Sequence, residues 1–196
     1  MLIVFTNFAA TNKYAMKWND ICLKLKEDAE RIGLPEAYYD QITESTTQQE
    51  IINILKCCIE FCISHRWPSS SFIKQHFKKN ILIDNGMLID DDGTYPMQDK
   101  NRRFNYMDRY FLSGKSNATI RYSFRPHSCT VWVCDNSTVT IDAKYGAFFE
   151  IHLYDNAFAD VTTDLVSKAT VIKHSRHARL IKTGVVTTID DFYYLE

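Results

Sequence analysis

The stretch YGAFFEIHLYDNAF, residues 145–158, repeats one short phrase after ten residues. Tyr145-Gly146-Ala147 opens the stretch, Tyr154-Asp155-Asn156-Ala157 closes it, and apolar residues alternate with others in between. Alternation places every second side chain on one face of a strand, whereas Gly, Asp and Asn tolerate the left-handed backbone of a tight corner. Each unit of about ten residues is therefore predicted to be one short strand and one turn.

The same unit recurs along the chain beyond residue 115, in the form small, any, apolar, any, apolar. Seven units begin at Ala118, Cys129, Ser137, Ala147, Ala157, Ala169 and Ala178, at intervals of 11, 8, 10, 10, 12 and 9 residues. Units of this length close a core either by winding as a solenoid or by folding as an antiparallel meander. We favour a short single-stranded β-solenoid (β-helix) of roughly three to four coils, because the small residue keeps a fixed offset from the apolar ones. An antiparallel β-sandwich is the alternative.

The alternation also assigns side chains to the core or to the outside. Five side chains are predicted to point inward, namely Val139, Ile141, Phe149, Ile151 and Val161. Five are predicted to point outward, namely Thr138, Thr140, Phe148, Glu150 and Asp160.

The residues before the repeat follow the helical period instead. Apolar residues occur at helical spacing from Trp18 to Ile32, and Gly33 and Pro35 then end this helix. A short second helix is predicted over residues 35–44.

The strongest helix is predicted from Thr47 to His65, because Thr47 and Glu50 have the spacing of a capping box. Its wide apolar surface indicates that it is mostly buried. A last short helix is predicted after Pro68, ending near Lys79.

Residues 81–90, ILIDNGMLID, are predicted to form a β-hairpin, because Asn85-Gly86 suits the positive φ angles of a tight turn. The polar segment 90–103 is the predicted linker, and its aspartates lack the ligand spacing of a calcium loop. The predicted fold class is α+β. It has a helical domain at 1–80, the hairpin and polar linker at 81–114, and the β-solenoid repeat domain at 115–196.

Composition and charge narrow the function classes. The 23 Lys and Arg residues nearly balance the 24 Asp and Glu residues, so the chain lacks the basic excess that attracts nucleic acids or membranes. The amino-terminal segment MLIVFTNF has neither the basic flank of a signal peptide nor the length of a membrane span. Six cysteines without an export signal indicate reduced thiols. A cytoplasmic protein is therefore expected.

No catalytic motif is recognisable: the sequence has no glycine-flanked nucleophile and no phosphate-binding glycine loop. Cys58, Cys62 and His65 stand at i, i+4 and i+7, close to a spacing that presents ligands to zinc. The favoured interpretation is that the cysteines fill an apolar surface and His65 meets the helix dipole, because no fourth ligand is evident. We therefore predict no enzyme activity, no metal site and no cofactor.

A basic cluster follows the last repeats, in the segment KHSRHAR. It comprises Lys173, His174, Arg176, His177 and Arg179. It is a candidate site for an anionic partner, or for a nucleic acid if Trp132 or Tyr110 supplies stacking. The favoured interpretation is a solvated end of the solenoid, kept charged to discourage the pairing of strand edges.

Large apolar residues at outward strand positions form a candidate interface. Trp132, Phe148 and Phe158 are the aromatic residues among them. A freely solvated face usually carries fewer such side chains. We therefore expect a protein partner, or a second copy of the chain in a homo-oligomer, to cover this face or the final coil.

The phrases Asp135-Asn136-Ser137-Thr138-Val139, Tyr145-Gly146-Ala147 and Tyr154-Asp155-Asn156-Ala157 resemble the degenerate Y-(D/G)-N-A-x-V repeats of uncharacterised proteins from gut Bacteroidetes and their phages and mobile elements. The helical half ending in WPSSSFIKQHF is similar to the helical part that precedes such repeats. The resemblance covers about half of the chain and implies a fold and an origin, but no activity. The expected role is a non-catalytic binding or structural accessory protein of a phage or mobile element. A nucleic-acid- or nucleotide-binding regulator that uses the basic cluster is the alternative.

Overall fold

A computed structural model describes residues 16–95, 107–122 and 128–192. Helices come first and a parallel β-solenoid follows. The sequence predicts this fold, and the parallel pairing of every described strand pair excludes the antiparallel sandwich. Chain contacts define two compact units, the first ending at Thr46 and the second beginning at Thr47. The expectations for MLIVFTNF and for residues 96–103 of the linker lie outside the described residues.

The first unit contains helices α1 (Trp18–Arg31) and α2 (Glu36–Tyr39). The apolar face of α1 is buried through Ile21, Cys22, Leu25 and Ala29. Gly33 follows the helix with a φ of +80°, as expected for the glycine that ends a helix. Both predicted helices are confirmed, the second in a shorter form.

The second unit begins with four helices. They are α3 (Gln48–Cys57), α4 (Ile59–Ser64), α5 (Ser70–His76) and α6 (Lys79–Asp84). The capping box is confirmed, because the Thr47 side chain accepts from the Glu50 amide and the Glu50 carboxylate accepts from the Thr47 amide. The single helix predicted over Thr47–His65 is interrupted at Cys58, whose φ of −121° is not helical.

Eleven strands follow in the described part of the chain. They are β1 (Met87–Ile89), β2 (Asp92–Tyr95), β3 (Met107–Ser113), β4 (Asn117–Tyr122), β5 (Ser128–Val133), β6 (Thr138–Ala143), β7 (Phe148–Leu153), β8 (Phe158–Thr163), β9 (Lys168–Lys173), β10 (Arg179–Thr183) and β11 (Val186–Asp190). The odd-numbered strands form the first sheet and the even-numbered strands form the second. Because the chain alternates between the sheets, each coil contributes one strand to each. Strands β1 to β3 already belong to these sheets. The solenoid therefore begins earlier in the chain than residue 115, where the sequence analysis placed its start.

The β-hairpin predicted over residues 81–90 is wrong. Helix α6 occupies the first half, and β1 pairs in parallel with β3 rather than with a neighbouring hairpin strand. Asn85 is the C-cap of α6 with a φ of −104°, and only Gly86 has a positive φ, of +72°. A Cβ on Gly86 would lie 2.5 Å from the carbonyl oxygen of Arg109, so this position requires glycine.

The core register agrees with the sequence. The five predicted inward side chains, Val139, Ile141, Phe149, Ile151 and Val161, are fully buried. The five predicted outward residues, Thr138, Thr140, Phe148, Glu150 and Asp160, are partly or largely exposed. One coil spans 20 residues here, because Cys129 pairs with Phe149 and Phe149 pairs with Ala169.

The corners of the coils have the predicted left-handed backbone, with positive φ at Asp135, Tyr145, Gly146 and Asp155. The aspartates also bind the backbone of the preceding coil. Asp135 Oδ2 accepts from the Gly114 amide at 2.7 Å, and Asp155 Oδ2 accepts from the Asp135 amide at 3.1 Å. Each carboxylate thus satisfies a corner amide that no strand partner reaches.

Candidate interaction surface

The two sides on which the solenoid turns have different surfaces. In the coils that follow β5, the chain passes from the first sheet to the second at residues 134–137, 154–157 and 174–178, which we call the polar corner. Its exposed side chains are Asn136, Asn156, Arg176 and His177. The chain returns to the first sheet at residues 144–147, 164–167 and 184–185, which we call the apolar corner.

The apolar corner exposes four large apolar side chains on successive coils. They are Tyr145 (61% exposed), Leu165 (95%), Val166 (68%) and Val185 (42%), which we call the apolar ridge. Phe148, the first residue of β7, lies just after this corner and is 40% exposed. Parallel strands stack about 4.8 Å apart, so the three turns span on the order of 10 Å along the solenoid.

Hydrogen bonds from the backbone hold the ridge in place. Asp164 Oδ1 accepts from the amides of Val166 (3.2 Å) and Ser167 (2.7 Å), and Asp164 Oδ2 accepts from the Tyr145 amide (2.8 Å). The bond from the Ser167 side chain and that from the Tyr145 backbone lower the pKa of the Asp164 carboxyl. The backbone that carries Tyr145, Leu165 and Val166 is therefore held before any contact is made, which reduces the backbone entropy lost on binding.

The sequence-predicted interface residues lie in different environments. Trp132 is only 7% exposed and packs with Ile59 of α4 and with Tyr154. It is therefore covered by the chain itself and does not belong to a free surface. Phe158 is half-buried, with the Arg179 guanidinium 5.5 Å from its ring centre. An interface role for Phe148 and Phe158 stays a prediction.

The basic cluster is only partly gathered on the surface. Arg176, His177 and Arg179 are exposed, whereas His174 is buried. Lys173 Nζ and the Arg176 guanidinium lie 6.0 and 5.8 Å from the ring centre of Phe192.

The aromatic residues named for nucleic-acid stacking are not accessible to bases. Trp132 and Tyr110 are both buried. The rings beside the exposed cations are Phe158 and Phe192 instead.

A buried histidine pair lies on the outer face of the first sheet. His152 Nδ1 is 3.0 Å from His174 Nε2, and His152 Nε2 is 3.0 Å from Glu150 Oε1. His174 Nδ1 lies 3.6 Å from Asp191 Oδ2, and its ring stacks on Tyr154. Burial lowers the pKa of His174, and the charge of His152 lowers it further.

The three residues considered for zinc are not brought together. The Sγ atoms of Cys58 and Cys62 are 3.7 Å apart and buried. His65 is exposed, with Nδ1 2.9 Å from Ser64 Oγ and 3.0 Å from the Phe61 carbonyl oxygen. Within residues 16–95, 107–122 and 128–192, no group of three or more His, Cys, Asp or Glu side chains is arranged to hold a metal ion.

A small cavity lies between the helices and the first sheet. It is lined by Lys56, Ile59, Gly86, Tyr110, Phe111 and Trp132, and its volume is about 10 Å³. That volume is room for about one water molecule and not for an organic substrate. Among the described helices, none is long and apolar enough to cross a membrane.

Sequence reasoning missed the apolar ridge because it considered strand positions and not turns. The signal lay in the turn sequences: Leu165-Val166 occupies the place that Asp135-Asn136 and Asp155-Asn156 fill in other turns. Two branched apolar residues in a solvated turn cost solubility without adding to the core.

Compared with protein-family models, with curated proteins and with solved structures, the chain has no match.

Proposed function

We propose that this protein acts by binding another protein, as a non-catalytic structural or accessory component of a phage or mobile element. The observation that carries the proposal is the apolar ridge of Tyr145, Leu165, Val166 and Val185. Scattered apolar side chains are normal on a protein surface, whereas a contiguous row on one corner indicates a contact site. The opposite, polar corner of the same coils carries no such row in the described residues.

The ridge suits a partner in energetic terms. Covering one leucine-sized side chain contributes about 1.5–3 kcal/mol, and Leu165 is almost completely exposed in the isolated chain. Because Asp164 holds the backbone of the turn that carries Leu165 and Val166, little backbone entropy opposes binding.

A second copy of the chain is the partner that we propose first. A row of apolar side chains that runs along the solenoid can pack against its own copy around a two-fold axis, so that the same residues are buried on both sides.

The last coil is less suited to this contact. Lys182 stands at an inward position of β10, opposite Val161, and its Nζ donates to Thr188 Oγ1 at 2.9 Å. A charge at that end opposes the stacking of another coil.

The origin rests on the resemblance of the repeat phrases to those of gut Bacteroidetes, their phages and their mobile elements. The phrases, residues 135–139, 145–147 and 154–157, begin where the chain turns, and the first continues into β6. The positive φ angles of these turns account for the Asp and Gly residues in the phrases.

A differential capture experiment tests the binding role. The Tyr145→Asn, Leu165→Asn double variant removes the two largest ridge side chains, and asparagine suits the positive φ of residue 145. His177→Gln, at the polar corner, is the matched control. A partner, self or other, should be retained by the wild type and the control and lost from the ridge variant. Equal retention by all three proteins would contradict the proposal.

A nucleic-acid-binding role is the second candidate. The exposed side chains of Arg176, His177 and Arg179 are close in sequence on the last coil, and the rings of Phe158 and Phe192 lie beside the two arginines. Such a patch could hold a phosphate backbone while bases stack on a ring. The balanced net charge of −1 makes this role weaker than the first.

A further inference from the structure

The second sheet ends in an open strand edge at β10. This strand pairs with β8 on one side, and no strand within the described residues pairs with its other side. The Arg179 amide donates toward β8, to the Ala157 carbonyl oxygen at 2.9 Å. Backbone groups of successive residues point to opposite sides of a strand, so the N–H and C=O groups of Leu180 and Lys182 face the open edge. They are available to a strand that is added there.

The side chain of Lys182 lies across the open end of the core. Lys182 is at an inward position opposite Val161, and its Nζ donates to Thr188 Oγ1, an inward residue of β11 opposite Val171. Among the residues that the structure describes, no carboxylate pairs with this ammonium group. A strand added to β10 would cover the charge, so it needs a carboxylate opposite Lys182.

The rest of the last coil is also cationic, although the whole chain has a net charge of −1. Residues 165–189 contain no Asp or Glu. Their cations are Lys168, Lys173, Arg176, Arg179 and Lys182. Asp164, just before this stretch, accepts from backbone amides of its own turn, and Asp190, just after it, lies opposite Lys173. The open edge therefore attracts negative charge.

We propose that the open edge of β10 binds an extended, acidic segment of another protein by strand addition. The backbone of that segment forms ladder hydrogen bonds with Leu180 and Lys182, and one of its carboxylates faces the Lys182 ammonium group. A peptide fits this edge better than a nucleic acid does, because the edge presents both donors and acceptors at strand spacing, whereas phosphate groups only accept. The site is separate from the apolar ridge and adds a second contact to the proposed binding role.

Two matched peptides test strand addition. The probe is a capped, fluorescein-labelled octapeptide in which glutamate alternates with valine. Its control has proline in place of the two central valines, which keeps every carboxylate but removes backbone donors from the ladder. In fluorescence anisotropy, the wild-type chain should bind the probe at least about tenfold more tightly than the control.

Two charge reversals locate the contact. Lys182→Glu should weaken binding of the probe at least about tenfold, because it places like charges opposite each other. Lys168→Glu makes the same change on β9, whose two edges are already paired with β7 and β11, and should weaken binding less than about twofold.

Several results would overturn the proposal. They are no binding of the probe at low ionic strength, equal binding of the two peptides, and equal losses in the two variants. Tighter binding of a single-stranded thymidine oligonucleotide than of the probe would assign the edge to nucleic acid instead. Weaker probe binding at higher protein concentration would assign it to a second copy. The Tyr145→Asn, Leu165→Asn variant should bind the probe as the wild type does, so failure of the ridge proposal and failure of this one are distinguishable.

Discussion

The imidazole ring of His152, on β7, lies edge to edge with that of His174, the first corner residue after β9. Their planes differ by 3°, their centres are 5.3 Å apart, and the facing nitrogen atoms are 3.0 Å apart. This is the geometry of an N–H···N hydrogen bond rather than of stacked rings. One of the facing nitrogen atoms donates its hydrogen to the lone pair of the other, so the two nitrogen atoms do not converge on a common metal ion.

Acidification should destabilise the protein through His174. Its pKa is lowered from 6.5 by burial and by His152, although Asp191 and Glu60 oppose the shift. Because the unfolded chain takes up this proton at a higher pH, the stability contribution is complete above about pH 6.5 and is lost as the pH falls through the lowered pKa. Urea unfolding should therefore give a smaller free energy at about pH 5 than at about pH 7.5.

The His174→Gln variant isolates this contribution. It should flatten the pH dependence, whereas His177→Gln, which replaces an exposed histidine, should keep that of the wild type. The carboxylates around the histidine pair, Glu60, Glu150 and Asp191, are present in both variants. If His174→Gln kept the full pH dependence, the assignment to His174 would be wrong.

Truncation of the solenoid core should be costly. Ile151 is fully buried, and replacing it with alanine should lower the free energy of unfolding by about 2–5 kcal/mol. Thr140 points outward from β6, and its replacement by alanine should cost less than about 1 kcal/mol. Denaturant unfolding followed by tryptophan fluorescence gives both values, and equal losses would contradict the register.

The corner carboxylates should stabilise the stacking of coils. Asp135 Oδ2 accepts from the Gly114 amide, from Ser113 Oγ (2.5 Å) and from Ser70 Oγ (3.2 Å). The change Asp135→Asn keeps the tolerance for a positive φ but removes the charge, and it should cost about 1–3 kcal/mol.

The same chemical change at an outward strand position is the control for Asp135. Asp160→Asn, on β8, should change stability by less than about 0.5 kcal/mol. Thermal unfolding of the two variants compares them directly, and a loss at Asp160 as large as that at Asp135 would count against the corner bonds.

Reversal of charge in the basic cluster tests the nucleic-acid candidate. Changing Arg176 and Arg179 to glutamate should abolish salt-sensitive retention on nucleic acid and leave the melting temperature nearly unchanged, since both side chains are exposed. A wild-type protein that is not retained at low ionic strength removes this candidate.

The sequence predicted the solenoid because its corners leave a local signal. Asp135, Tyr145 and Asp155 adopt positive φ, and the small residues after them, Ser137 and Ala147 among others, are buried as the backbone turns inward. The intervals of 8 to 12 residues that the sequence analysis gave are less regular than the strand pairing, which repeats every 20 residues from β5 to β9. Ala118 and Ala169 pair with Val139 and Phe149, which lie two residues after the corner residues Ser137 and Ala147.

The true corner residues of those two units are serines. Ser116 and Ser167 are fully buried, and both hydroxyls bond to backbone groups of the corners. A serine is usually an exposed residue, so the sequence analysis did not expect serine at a buried corner. It therefore began these two units at Ala118 and Ala169, two residues after the serines. Cys129 was displaced in the same direction, because it also pairs with Phe149.

The hairpin could not be distinguished from a helix end by local sequence. A glycine after Asn85 suits both a tight turn and the residue that follows a helix. The choice depends on the pairing of β1 with β3, some 24 residues further along the chain, where Met87 meets Phe111. The burial of Trp132 beneath α4 likewise depends on contacts that are distant in sequence.

The mass of the protein in solution tests the central claim most directly. Light scattering at micromolar concentration should give a mass above the 22.9 kDa of one chain for the wild type and for His177→Gln. The Tyr145→Asn, Leu165→Asn variant should return to 22.9 kDa, because it removes the apolar side chains that the contact buries. A strictly monomeric wild type, or an oligomer that the ridge variant leaves intact, would contradict self-association through the apolar corner.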